Sequence, residues 1–109
     1  MVKRGEVWWY EDETVPRRPV LVLTRNAVAG RLTHVVGIPA TTVVRGIPSE
    51  VSVGTEDGMP RECVLSPDNV GQFRQSLMTD LVTTLDPPVL RRVCDALAVT
   101  TECESAPGD

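Results

Sequence analysis

The 109-residue sequence contains a single histidine and three cysteines, and no two cysteines have the C-x-x-C spacing. These residues cannot complete a metal site of the usual pattern, so we expect no metal and no cofactor. The odd number of cysteines (Cys63, Cys94 and Cys103) favours reduced, structural thiols in a cytosolic protein.

Long apolar runs are also absent. The N-terminal stretch MVKRGEVWWY lacks the apolar segment of a signal peptide, and no segment approaches the roughly 20 apolar residues of a membrane span. We therefore expect a cytoplasmic protein with no membrane partner. A chain of 109 residues has room for one hydrophobic core, and hence for one domain.

An excess of basic residues is missing as well. The formal net charge is −4, which argues against simple electrostatic attraction to nucleic acid. The charge is unevenly spread, because residues 1–45 carry seven basic and four acidic side chains, whereas the remainder carries four and eleven. This distribution permits a locally basic surface on an acidic protein, and a dimer could concentrate it.

What the sequence does contain is a series of short runs rich in β-branched residues, separated by glycine and proline. The continuous run PVLVLT is typical of a strand buried on both faces. Gly37 and Pro39 indicate a bulge or bend near the end of the third strand. We expect strands over residues 6–10, 19–24, 33–41, 49–53, 62–67 and 81–85, a strand or turn over 68–73, and a helical turn over 74–77.

The segment DPPVLRRVCDALAV, residues 86–99, predicts a helix. Asp86 suits the N-cap, Pro87 the first helical position, and Leu90, Val93 and Leu97 form an apolar stripe. The fold class is therefore mainly β, with six to seven strands in a small barrel or strongly curved sheet and one C-terminal α-helix packed on it. Residues 1–99 should form the domain, and residues 100–109 a flexible acidic tail.

Four segments occur in an order that resembles the MazF/PemK/Kid family of toxin endoribonucleases: VKRGEVWW, RRPVLVL, VGIPATT and the helix DPPVLRRVCDAL. The resemblance covers about residues 2–99. It implies an SH3-like or CcdB-like β-barrel with a C-terminal helix, which works as a cytoplasmic homodimer.

The same resemblance implies a growth-inhibiting toxin that cleaves single-stranded RNA without a metal. The ribose 2′-hydroxyl attacks the adjacent phosphate and leaves a cyclic phosphate and a 5′-hydroxyl. A cognate MazE-like antitoxin, with an acidic flexible segment, would hold this activity in check. DNA would be a partner only indirectly, through the antitoxin.

By position, the family's catalytic arginine matches Arg18, before Pro19, and its catalytic threonine matches Thr41. A guanidinium offers planar, paired donors to phosphate oxygens, and a hydroxyl adds a neutral donor. Arginine stays protonated and is a poor base, so the general base is unassigned. The alternatives are that Arg18 is a surface residue at a strand start and that Thr41 is a structural strand residue.

Further substrate contacts are predicted at Thr42, Arg45, Asp68 and Asn69. Arg45 fits a solvated turn equally well, and Asx-turn chemistry also explains the segment PDN. His34 is interpreted as a structural histidine, since it lies within an apolar strand. Of the neighbours Trp8 and Trp9, alternation predicts that one faces the core and that the other could stack on bases.

One departure from the family pattern affects the substrate. The first loop, EDETVPR, is short and acidic and lacks the Gly-Ser-Glu element that many members carry. Because this loop helps to shape the RNA channel in the family, the RNA sequence preference of other members cannot be transferred to this chain. A shortened loop could also open the groove to structured RNA. Two other functions are kept open: a CcdB-like poison of DNA gyrase, disfavoured because the end TTECESAPGD has no aromatic residue, and a non-catalytic SH3-like binding module.

Overall fold

The computed structural model describes residues 2–26 and 31–102. Within those ranges the chain forms seven strands, three short 3-10 turns (Thr55–Asp57, Pro67–Asn69 and Gln75–Leu77) and a long C-terminal helix, α1. The strands are β1 (Glu6–Tyr10), β2 (Arg18–Val22), β3 (His34–Thr41), β4 (Val51–Val53), β5 (Cys63–Leu65), β6 (Gly71–Arg74) and β7 (Met78–Thr84), and α1 spans Pro87–Thr101.

The strands form one antiparallel sheet in the order β4-β5-β3-β2-β1-β7, and β6 is an additional partner of β3. The first half of β3 pairs with β6, whereas its last two residues pair with β5 on the same edge. This change of partner curls the sheet into a half-barrel. The terminal strands β4 and β7 do not pair with each other in the described part of the chain. The predicted mainly β class, with six to seven strands and a C-terminal helix, is confirmed.

Strand β2 is the central strand of the sheet, between β1 and β3. Its residues Val20, Leu21 and Val22 have no exposed surface, so the predicted burial on both faces is confirmed. Leu21 contributes to the core cluster beneath α1. Val20 and Val22 contribute to a second cluster on the opposite face, with Val2, Tyr10, Val35 and Met78.

At Gly37, β3 packs so closely against β2 that there is no room for a side chain. A Cβ atom at this position would lie 2.7 Å from the carbonyl oxygen of Leu21 and 2.8 Å from Cγ1 of Val20. β3 runs unbroken through Gly37 and Pro39 to Thr41, and its edge partner changes from β6 to β5 over the same segment. The absence of a side chain at Gly37 therefore allows the tight contact between β2 and β3.

Helix α1 packs on one face of the sheet with the predicted stripe. Val93 is fully buried, and Leu90 and Leu97 pack against the same core cluster. Asp86 stands at the N-cap in extended conformation, although its side chain accepts no capping hydrogen bond. The helix continues to Thr101, and residues 103–109 of the predicted tail lie outside the described residues. No helix in the described ranges is long and apolar enough to cross a membrane.

Several boundaries differ from the sequence prediction, and two of them change the reading of an element. The segment 68–73 divides into a 3-10 turn, Pro67–Asn69, and the strand β6. The last strand begins at Met78 instead of residue 81. Its early residues Thr79 and Asp80 are exposed, because β7 is an edge strand paired only with β1. A strand with a wet face lacks the apolar run that marks a buried strand.

The contrast between Gly37 and its cross-strand partner Gly71 gives a stability test. Gly37→Ala should lower the free energy of unfolding by about 1–3 kcal/mol, because backbone must move to admit a methyl group. Gly71→Ala is the matched control: no atom lies closer than 3.9 Å, so we expect a change within about 0.5 kcal/mol. Urea unfolding measures both, and equal midpoints for the two variants would contradict the close-contact explanation.

Candidate functional site

The pairing of β2 with β3 places Arg18 and Thr41 together. In this ladder Val20 lies opposite Pro39 and Leu21 lies opposite Ile38. The same register, continued by two residues, sets Arg18 opposite Thr41 where β2 begins and β3 ends. Directly opposed residues point to one face, with Cβ atoms about 4.5–5.5 Å apart. Both side chains accordingly line one cleft of about 500 Å³.

The walls of this cleft carry positive charge without a carboxylate. Its described lining contains three arginines and two threonines but no acidic residue and no histidine. An anion is the ligand that such a lining favours. The lining residues are Trp9, Pro16, Arg17, Arg18, Pro19, Ala40, Thr41, Thr42, Pro60, Arg61 and Cys63.

The neighbouring arginines at the cleft have different environments. Arg17 forms ion pairs with Glu11 at 3.1 Å and with Asp80 at 3.4 Å, and its guanidinium lies 4.1 Å from the ring centre of Trp9. Arg18 has no carboxylate partner among the described residues, and only its Nε donates, at 3.4 Å, to a backbone carbonyl. The charge of Arg17 is compensated within the protein, whereas that of half-buried Arg18 is available to an anion.

The carboxylate of Glu11 is fixed in the charged form. A hydrogen bond donated by Thr79 and a second one from Arg17 hold the pKa of Glu11 below its usual range. The ion pair with Arg17 therefore persists to more acidic pH than the ordinary pKa of a glutamate would allow. These contacts therefore favour the charged form of Glu11 beside Arg17.

Thr41 presents its hydroxyl in a defined orientation. Its Oγ1 accepts a hydrogen bond from the backbone N–H of Val43 at 3.1 Å. Because that contact uses a lone pair of the oxygen, the hydroxyl proton is free to be donated to a ligand. Arg18 and Thr41 can thus both act as donors to one bound anion.

The remaining predicted contacts divide into two groups. Thr42 lines the cleft, whereas Arg45, Asp68 and Asn69 do not. Arg45 is exposed, and its backbone N–H donates to the carboxylate of Glu50. Asp68 accepts a hydrogen bond from Ser49 at 2.9 Å and lies with exposed Asn69 in a 3-10 turn. These three could contact only the parts of a ligand that extend beyond the cleft.

No described residue lining the cleft is a ready base at neutral pH. Burial raises the pKa of the Cys63 thiol, and the nearby charge of Glu62 raises it further, so the thiol stays protonated. His34 is exposed at the opposite end of β3 and lines a different cavity, and its interpretation as a structural histidine stays a prediction. The general base stays unassigned.

Cys63 and Cys94 are not bonded to each other in the described part of the chain, and Cys103 lies outside it. The tryptophans follow the expected alternation. Trp8 packs against the second core cluster, and Trp9 lines the cleft.

Within the described ranges, no group of three or more histidine, cysteine or acidic side chains is placed to hold a metal ion.

Sequence reasoning missed Arg61 and the pairing of Arg17. Arg61 belongs to the loop before β5, and only the fold brings this loop to the start of β2. The sequence signal for Arg61 was its position directly before a predicted strand, and that position alone is weak evidence for a site residue. Asp80 is far from Arg17 in the chain and reaches it through β7, a strand whose start the sequence did not predict.

Comparison with known proteins identifies the family. The model of the PemK-like, MazF-like toxin of type II toxin-antitoxin systems matches residues 3–101. The chain is 37% identical over 101 residues to the probable endoribonuclease MazF5 of Mycobacterium tuberculosis, covering 92% of this chain and 93% of that protein. Its identity with the probable endoribonuclease MazF2 of the same organism is 35% over 103 residues, which cover 94% of this chain and 100% of that protein. The chain therefore belongs to the PemK-like, MazF-like toxin family, as its sequence motifs predicted.

Solved structures agree with this assignment. The Mycobacterium tuberculosis toxin MazF-mt6 superposes with a TM-score of 0.82 at 27% identity, covering 92% of this chain and 99% of that chain. A mycobacterial endoribonuclease solved in complex with its cognate antitoxin has a TM-score of 0.84 at 24% identity, covering 96% and 99%. This second likeness is one of fold, and it matches the barrel-like fold expected from the family.

The raised pKa of Cys63 predicts an unreactive thiol. In a Cys94→Ser/Cys103→Ser variant, Cys63 should react slowly with iodoacetamide at neutral pH, and its rate should still rise above pH 9.0, the ordinary pKa. The same variant unfolded in urea is the control, and it should react faster with an ordinary pH profile. Rapid modification of the native protein at pH 7 would instead identify a thiolate in the cleft.

Proposed function

We propose that this chain is a cytoplasmic toxin endoribonuclease of a type II toxin–antitoxin system, and that it cleaves single-stranded RNA at the cleft between β2 and β3. One observation carries the proposal: the guanidinium of Arg18, which has no carboxylate partner among the described residues, lines the same cleft as Thr41, and the described lining of that cleft has no carboxylate. The similarity to two probable endoribonucleases, which covers nearly the full length of both, supports it.

The reaction is a phosphoryl transfer within the RNA. The ribose 2′-oxygen attacks the adjacent phosphorus, the bond from phosphorus to the 5′-oxygen breaks, and a 2′,3′-cyclic phosphate and a 5′-hydroxyl form. The 2′-hydroxyl loses its proton to the unassigned base, and the leaving 5′-oxygen gains one. Negative charge grows on the non-bridging oxygens in the transition state, where fixed donors stabilise it most.

Arg18 and Thr41 are suited to this charge. The guanidinium of Arg18 supplies paired N–H donors and a charge that no described carboxylate offsets. Thr41 supplies a neutral donor whose oxygen is already oriented by Val43. Both residues lie on paired strands, which hold side chains more firmly than loops do. Arg18 acts as charge stabiliser and can donate a proton to the leaving oxygen.

The substrate chain extends beyond the cleft. Thr42 would contact a group next to the reacting phosphate, since it lines the same cleft. Arg45, Asp68 and Asn69, which lie outside that lining, would contact nucleotides further along. The cleft is open enough for a flexible strand, and the short first loop, residues 11–17, leaves structured RNA as a second possible source of the cleaved strand.

The partners follow from the same surface. An acidic, flexible segment of a MazE-like antitoxin would fit the positive cleft, and Val43 and Val44, which are 62% and 65% exposed, offer apolar contacts beside it. We infer that the antitoxin also provides the indirect link to DNA. We propose a homodimer of the toxin domain, which extends past residue 99 to the end of α1 at Thr101.

The decisive experiment is digestion of a defined RNA library and of total RNA, with a chelator present and sequencing of the cleaved ends. The native chain should release cyclic phosphate and 5′-hydroxyl ends, and expression should arrest growth. Arg18→Ala should lower cleavage by roughly 10³-fold or more, because a charged donor to the transition state is lost. Arg91→Ala, at an exposed arginine on α1, is the control. Intact RNA with the native chain would indicate a non-catalytic binding module.

Thr41→Ala should reduce cleavage less than Arg18→Ala, by about 10²-fold, because a neutral hydrogen bond stabilises developing charge less than a guanidinium does. The loss should fall on kcat, since the hydroxyl acts most strongly in the transition state. Thr101→Ala, at the exposed end of α1, serves as the control. A Thr41→Ala variant with native kcat would remove Thr41 from the reaction while leaving the role of Arg18 open to its own test.

A further inference from the structure

Arg17 lines the cleft beside Arg18, although its charge is already compensated. Its guanidinium is held at three places. Nε donates to Glu11, Nη2 donates to Asp80, and one face lies on the Trp9 ring at 4.1 Å. A side chain with three partners has less rotational freedom to lose than a free one, so a contact with it costs less entropy.

The geometry of these contacts leaves one face of the guanidinium open. The N–H bonds of a guanidinium lie in its plane, so the two carboxylates occupy its edge. Trp9 covers one of the two faces. The opposite face has no hydrogen-bond or ring partner among the described residues, and the Arg17 side chain is still 46% exposed.

A nucleobase is the part of an RNA strand that fits this open face. Phosphate is drawn to Arg18, whose charge is unpaired, in preference to Arg17, which two carboxylates already neutralise. A flat, uncharged base gains from stacking on a guanidinium plane and requires no net charge there. Because Arg17 and Arg18 are adjacent and line the same cleft, a base stacked on Arg17 would belong to a nucleotide close to the reacting phosphate.

We propose that the Trp9–Arg17 stack, fixed by Glu11 and Asp80, is a base-binding subsite for a nucleotide flanking the cleaved bond. This inference rests on the proposed ribonuclease function. Trp9, Arg17 and the base form a three-layer stack, in which Arg17 positions the substrate and takes no part in the chemistry. Its planar shape, and not its charge, is the property that the subsite uses.

The test is a binding measurement on a single-stranded RNA that the native chain cleaves. A 2′-deoxy substitution at the attacking ribose prevents cleavage, and a series of such RNAs lacks one flanking base at a time. Fluorescence anisotropy gives Kd for the native protein, for Arg17→Lys and for the control Arg91→Lys. Lysine keeps the charge and can reach the carboxylates, but it has no planar face.

For the native protein and for Arg91→Lys, removal of the stacked base should raise Kd by about 5- to 150-fold at one position. For Arg17→Lys the same removal should change Kd little, because the stacking is already lost. A further variant, Arg17→Gln, removes the charge. The dependence of Kd on salt should be the same for the native protein and Arg17→Gln, since Arg17 makes no phosphate contact.

Three results would overturn the subsite: no effect of base removal at any position in the native protein, an equal effect in Arg17→Lys, or a reduced salt dependence in Arg17→Gln, which would make Arg17 a phosphate ligand. If the unmodified RNA is cleaved while any of these holds, the ribonuclease function stands and only the subsite is wrong. If no RNA is cleaved or bound, both proposals are wrong.

Discussion

The hydrogen-bonded register between β2 and β3 is the constraint on which the rest of the site depends. It sets Arg18 opposite Thr41, and a shift of one residue would turn one of the two side chains to the other face of the sheet. Burial fixes this register, because Val20, Leu21 and Val22 have apolar neighbours on both faces. The placement of Arg18 and Thr41 is thus a by-product of core packing, and Gly37 supplies the close strand contact that the packing requires.

Two adjacent arginines serve different purposes because their surroundings differ. An exposed ion pair contributes little to stability, so the contacts of Arg17 with Glu11 and Asp80 matter chiefly for where they hold its side chain. Arg18 has no such partner in the described part of the chain and keeps its charge for a ligand. Arg17 therefore presents a guanidinium plane held in place, whereas Arg18 presents a charge without a carboxylate partner.

Much of the fold could be read from the sequence, because its signals are local. The buried run PVLVLT, the stripe of α1 and the ordered family motifs each lie within a few residues of one another. The placement of Arg61 and the partner Asp80 could not be read in this way, since each reaches the cleft through strand pairing between distant segments. The start of β7 was missed because an edge strand with a wet face has no apolar run.

The order of the strands has a consequence for synthesis. The first strand, β1, pairs on one side with β7, which is the last strand to leave the ribosome. Arg18 and Thr41 emerge early, yet the cleft wall at Arg61 and the partner Asp80 follow only later. A nascent chain that still lacks β7 therefore has an unpaired β1 edge, and its Arg17 lacks the partner Asp80.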